Sequence, residues 1–171
     1  MIRSFFLITV YFFLCTNPTY AKSLKDSTNT SKKVINIAFP SAAIISLVGI
    51  NEVWYKNYVR SDFHFFDDLK EWNGMDKVGH ACTSYQLNKV SHTLFKKNNI
   101  NNSLLKSSIY TFGYMLGVEL LDGYLAEWGF SIYDVIGNGL GTFLYSFQES
   151  KLKSQPFQIK FSSSKTTYAS C

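Results

Sequence analysis

Cysteine is scarce in this chain, with three in 171 residues, too few for a disulfide-built scaffold. Charge is scarce too. Only 17% of residues are charged against 46% hydrophobic, which excludes an intrinsically disordered chain. Several enzyme signatures are missing, namely a phosphate-binding P-loop, a dinucleotide fingerprint, HExxH and a CxxC pair. No zinc-finger or RNP motif is present, and no basic stripe is interleaved with aromatics, so no nucleic-acid partner is expected. Mean hydropathy is near zero, which argues against a chain made mostly of membrane spans.

What is present begins at the N-terminus. Arg3 precedes an apolar run over residues 5–14, and Thr19-Tyr20-Ala21 follows as a small-x-small site. This is the pattern of a secretory signal, with cleavage expected after Ala21. Cys15 follows Leu14, where a lipobox needs a small residue, so simple cleavage is preferred to lipid attachment. The excess of 17 Lys and Arg over 12 Asp and Glu gives a formal charge of +5, which suits an anionic envelope surface.

Residues 22–33 read as a polar linker, and residues 34–51 as an uncharged apolar helix. Pro40, Asn36, Ser41 and Ser46 dilute that helix, and its lysine-rich flank would lie outside after signal cleavage, against the positive-inside tendency. A buried or membrane-resting helix is therefore preferred to a true span. The aromatic segment over residues 52–72 ends in an Asn73-Gly74 turn. Helices are expected over residues 75–96, 103–121 and 131–149. The uncharged stretch 107–118 predicts that the second of these is buried. Residues 150–171 form a polar tail in which alternating Phe157, Ile159 and Phe161 predict a short extended docking segment. The expected fold is all-α: a small helical bundle (residues 34–149) with an apolar N-terminal helix and a polar C-terminal tail.

Polar residues recur on these apolar helices at helical spacing. Asp76 and His80 are four apart and share a face, with Lys77 beside them. Glu119 follows twelve uncharged residues, and Asp122 lies three further on. Asp134 and Asn138 are four apart, and Gly137, Gly139 and Gly141 let that helix approach a neighbour. Burying such groups is costly unless they pair, so their convergence would mark a site. Asp134 in Ser131-Ile132-Tyr133-Asp134 has a second reading as part of a capping box, and Asp76 has one as a helix cap. The candidate catalytic residues are Asp76, Lys77, His80, Glu119, Asp122 and Asp134. The candidate binding residues are Asn138, Ser131 and Trp128, the last either covering or filling the pocket. His64 and His92 lie in no motif. Cys82 reads as a small buried residue, with a Cys82–Cys171 disulfide as an option. Gly79-His80 is similar to part of a lipid phosphatase signature, but the accompanying arginine motifs are absent.

In enzymatic form, Glu119 or Asp134 would be the general base and His80 its acid–base partner. Lys77 would stabilise an anionic group, and Asn138 would orient substrate. No motif identifies a cofactor. No tight ligand spacing supports a metal, although His80 with Asp76, Glu119 or Asp134 would suit zinc or manganese. The competing reading is a structural or assembly factor whose polar network fixes helix register.

Phe65-Phe66-Asp67-Asp68, Glu71-Trp72 and Met75-Asp76-Lys77-x-Gly79-His80 resemble the YfiM-like predicted periplasmic lipoproteins (domain of unknown function 2279). Glu119-x-x-Asp122-Gly123, Trp128-Gly129-Phe130-Ser131-x-x-Asp134 and Asn138-x-x-Gly141 continue the pattern in order, over roughly residues 54–148. A looser similarity reaches the VanZ-like membrane proteins. The resemblance implies an envelope location, a helical core, and one site holding Asp76, Lys77, His80, Glu119, Asp122, Asp134 and Asn138. It implies no established reaction. The partner expected is a membrane surface or an envelope lipid or glycolipid.

Overall fold

The computed structural model describes residues 28–160, apart from the side chains of residues 28–31, 71 and 72. The signal segment 1–21 with Cys15, most of the linker, Phe161 and the partner in the Cys82–Cys171 pair lie outside the described residues. Among the described residues there are four α-helices: α1 Thr28–Val53, α2 Met75–Lys97, α3 Ser103–Asp122 and α4 Ile132–Phe147. A π-helical turn, Gln148–Leu152, extends α4. Among the described residues there is no strand. Two isolated bridges, Arg60 with Leu125 and Phe65 with Phe130, join the aromatic segment to the α3–α4 connection.

The turns that separate the helices follow from local chemistry. Asn73 and Gly74 adopt φ of 52° and 75°, the left-handed region that Gly and Asn tolerate, and α2 starts immediately after. Asn99 and Asn102 do the same between α2 and α3. Ser131 caps α4, its hydroxyl accepting from the Asp134 amide at 3.1 Å.

Helices α2, α3 and α4 form the bundle. Its tightest contact is between α2 and α4. A Cβ at Gly137 would lie 2.9 Å from the Lys77 carbonyl, and one at Gly141 would collide with the Ala81 carbonyl and the Ser84 hydroxyl. Gly139 faces Phe112 with ordinary room, so it is not needed for that approach. Residues 155–159 dock on α2 as expected of the tail: Gln86 donates to the Ile159 carbonyl at 2.6 Å and Tyr85 to Gln155 at 2.8 Å.

The structure removes the buried alternative for α1 and corrects the expectation for α3. Helix α1 begins at Thr28 and is not buried: only 11% of its most apolar stretch is inside the molecule. It touches the bundle through Ile35 and Phe39 on Phe95, Ile100 and Tyr110, through Ser46 on Tyr114, and through Ile50 on Tyr55 and Leu125. The segment Lys32–Asn57 is long and apolar enough to cross a membrane. Helix α3 is likewise buried on one side only, with Leu105, Ile109 and Leu120 exposed. Lack of charge signals a lack of water, and that does not require protein on every side.

Candidate functional site

The N-terminal turns of α2 and α4 meet the C-terminal turns of α3, and polar side chains from all three converge there. Asp76, Lys77 and His80 come from the first turns of α2, Glu119 from α3, and Asp134 and Asn138 from α4. His80 lies in the middle. Its Nδ1 is 3.2 Å from Asn138 Oδ1 and 3.3 Å from Glu119 Oε1. Its Nε2 faces Asp134 Oδ2 at 3.7 Å and Asp76 Oδ1 at 3.9 Å. An ionised carboxylate and an amide oxygen only accept, so both neighbours of Nδ1 suit a ring that carries a proton there.

Lys77 forms the second centre. Its ammonium lies 2.5 Å from Asp68 Oδ2, 3.0 Å from Asp134 Oδ1 and 3.3 Å from Asp76 Oδ2. Asp68 also accepts from the Ser131 hydroxyl at 2.6 Å, which ties the loop before α2 to the cap of α4. Asp68 is the member that spacing missed. It sits in a loop with no period to reveal it, and the only sequence signal was its place in Phe65-Phe66-Asp67-Asp68.

Three of these groups have displaced acidities. Burial pushes the Asp134 carboxyl up to about 6, and the nearby charges of Asp76 and Asp68 add to this against His80 and Lys77. Burial also acts against charge on Asp68, but hydrogen bonds from Lys77 and Ser131 outweigh it and hold that carboxyl below its ordinary value. Burial would pull the Lys77 ammonium down, but Asp68 and Asp134 outweigh it and raise it. Asp68 and Asp134 therefore differ in their readiness to take a proton, although both contact one lysine. Glu119 and Asp134 are 1% exposed, whereas Asp76 and Lys77 reach the surface at 15% and 13%.

The other candidates have partners of their own. Asp122 is buried and accepts from the Tyr55 hydroxyl at 2.6 Å. Trp128 packs on Tyr55 and Tyr58, with ring centroids 6.1 and 4.5 Å away, within an aromatic group that includes Trp54. Two histidines outside any motif have partners: His92 Nδ1 meets the Tyr145 hydroxyl at 2.9 Å, and His64 Nδ1 meets Ser61 at 3.3 Å. Cys82 is buried and lies 3.8 Å from the Ile159 carbonyl. Asp76, His80 and Asp134 each offer a ligand atom within 4.8 Å of the others, a spacing able to hold a cation on mixed nitrogen and oxygen ligands.

Residues 62–150 match the model of a family described as predicted periplasmic lipoprotein (DUF2279). No curated protein and no solved structure matches the chain.

Proposed function

This chain belongs to the DUF2279 family of predicted periplasmic lipoproteins, exported proteins of the envelope, and we propose that its polar cluster binds, and acts by acid–base chemistry on, the polar part of an envelope lipid or cell-wall glycolipid. The observation that carries this reading is Asp134. It is a buried carboxyl, displaced to about 6 by its surroundings, 3.0 Å from the Lys77 ammonium and facing His80 Nε2. A group whose affinity for protons lies near working pH can both take and return one.

The roles follow from position. Asp134 draws the proton from a hydroxyl or water, and His80 exchanges it. Glu119 and Asn138 hold the imidazole through Nδ1. Lys77, at the surface edge of the cluster, meets the anionic group of the ligand. Trp128 and its aromatic neighbours contact the lipid portion. The membrane surface is the partner in this reading.

The test is to incubate the purified protein with extracted envelope lipids and lipid-linked cell-wall intermediates and follow masses. The wild type should retain or convert a lipid species, and Asp134→Asn and Glu119→Gln should not, while remaining folded. Unfolding of both variants would support the alternative, a structural factor. That alternative has its own observation: Lys77 already contacts Asp68, Asp76 and Asp134 and so ties a loop and two helices together.

A further inference from the structure

Burial is inverted in α3 and α4. In α3 the inward side chains are Ser107, Thr111, Met115, Val118, Glu119 and Asp122, four of the six polar, while Leu105, Ile109 and Leu120 are between 46% and 61% exposed. In α4, Asp134, Asn138 and Thr142 point inward, while Ile136, Leu140 and Phe143 are between 51% and 63% exposed. The α4 set steps by four and three residues and the α3 set by four and eleven, about one and three turns, so each lies on one face. In water the apolar stripe is the one that turns inward, at roughly 25 cal/mol per Å² buried. Here the polar stripes turn inward and bond to one another. Asn88 donates to the Ser146 hydroxyl at 2.9 Å and to the Thr142 carbonyl at 3.2 Å, and the Ser108 and Ser146 hydroxyls meet at 2.7 Å. Helices that pack through small residues and interhelical polar bonds, with apolar side chains outward, follow the rules of a hydrocarbon solvent.

We infer that the outer stripes of α3 and α4, together with the exposed face of α1, lie against lipid hydrocarbon. The three faces adjoin. Phe112 of α3 meets Gly139 of α4, and on its other side α3 touches α1 through Ser46 and Tyr114 and through Phe39 and Tyr110. Residues 34–51 carry no charge. The acidic residues of α3 and α4 all point inward, which leaves Lys106, near the start of α3, as their only outward charge. The two ends of the bundle are marked differently. Lys32, Lys33, Lys96, Lys97, Lys106 and Lys151 gather at the end away from the polar cluster, where Ile35 meets Phe95 and Ile100. At the cluster end stand Trp54, Tyr58, Phe63, Phe65, Tyr124 and Trp128. Lysines that reach anionic headgroups and aromatics that settle at the lipid–water boundary mark the edges of a lipid-contacting surface.

This placement deepens the functional reading above and rests on it for the substrate alone. The cluster sits at the aromatic end, hence at headgroup depth. The ligand it meets is the phosphate or first sugar of a lipid that stays seated in the bilayer.

The full chain, its three cysteines replaced by serine, is given a single cysteine by Leu140→Cys, Ile109→Cys or Thr93→Cys and labelled with an environment-sensitive fluorophore. It is reconstituted in phosphatidylethanolamine–phosphatidylglycerol vesicles with brominated acyl chains. Quenching should be about twofold or more stronger at 140 and 109 than at 93, as befits labels inside a hydrocarbon layer ~30 Å thick. Equal weak quenching at all three positions overturns the inference. So does a detergent-free oligomer in which the 140 and 109 labels are shielded, because a second copy then covers the stripes. If the labelled variants do not fold, the unmodified chain is photo-crosslinked to a lipid with a diazirine in its acyl chain. Adducts on residues 103–122 and 132–147 support the inference, and adducts confined elsewhere overturn it. Asp134→Asn does not alter quenching at 140, so failure of the acid–base reading and failure of the lipid-contact reading are told apart.

Discussion

Glu119 Oε1 lies 3.3 Å from His80 Nδ1, and both groups are almost wholly withdrawn from solvent. The carboxylate stands at one ring nitrogen, and the other, Nε2, is directed at Asp134 and Asp76. Glu119→Gln keeps the shape and removes that direction. Lipid conversion should fall by roughly 10²-fold or more, the usual contribution of a positioned acid–base group. Stability should change by no more than about 1 kcal/mol, the worth of one ordinary hydrogen bond. Lipid mass spectrometry paired with denaturation reads both.

Asp134→Asn should separate function from stability in the opposite sense. The folded state raises the Asp134 carboxyl from 3.8 to about 6, so its charge works against the fold above that pH and is relieved as pH falls toward 4. Asparagine removes that charge. The variant should therefore be as stable as the wild type, or more so, at pH 7.5, and should lose activity. In the wild type, activity should decline as pH drops through about 6. A pH profile on purified protein checks this limb.

Gly141→Ala should part α2 from α4. The new Cβ meets the Ala81 carbonyl, which is backbone and cannot swing away. Overpacking of this kind costs about 1–3 kcal/mol, with more expected against backbone. Gly139→Ala is the control. Its Cβ would meet only Phe112, at 3.7 Å, and removing a helical glycine is worth up to about 1 kcal/mol in stability. Unfolding midpoints in one detergent compare the two.

At the lysine-rich end, burial lowers the affinity of His92 for protons below the ordinary 6.5, with Lys96 adding to this and Glu149 opposing it. The unfolded chain binds that proton first, so stability is lost as pH falls below about 6.5. His92→Gln should shrink the loss between pH 7.5 and 5. The comparison of variant with wild type isolates His92 from Asp134, which acts with the opposite sign over the same range. Below that, Glu149 adds a second loss, because hydrogen bonds from Lys96 and Gln155 outweigh burial and hold it below 4.5.

The helices were legible because their stops are local. Asn73-Gly74, Asn98 to Asn102 and Ser131 carry the turn and cap chemistry themselves. The site was legible where it follows helical spacing, as with Asp76 and His80 or Asp134 and Asn138. That these pairs meet depends on the approach of α4 to α2, which the glycines permit but do not by themselves direct. Asp68 and Tyr55 were given no role because a loop and a single 3-10 turn have no period to reveal one. The face that turned outward was misjudged for α3, since an uncharged helix is consistent with burial in protein and with contact to lipid alike.

Two helices begin at the cluster, and Asp76 and Asp134 both lie in their first turns. The unpaired amide groups of those turns give each helix start a partial positive charge that falls off within about one turn. Part of the potential acting on these carboxylates is therefore supplied by the main chain. An inserted residue after Gly74 or Ser131 would unwind a first turn and alter that potential with every ionisable side chain still in place. The same insertion at 98–102, far from the carboxylates, would leave it intact.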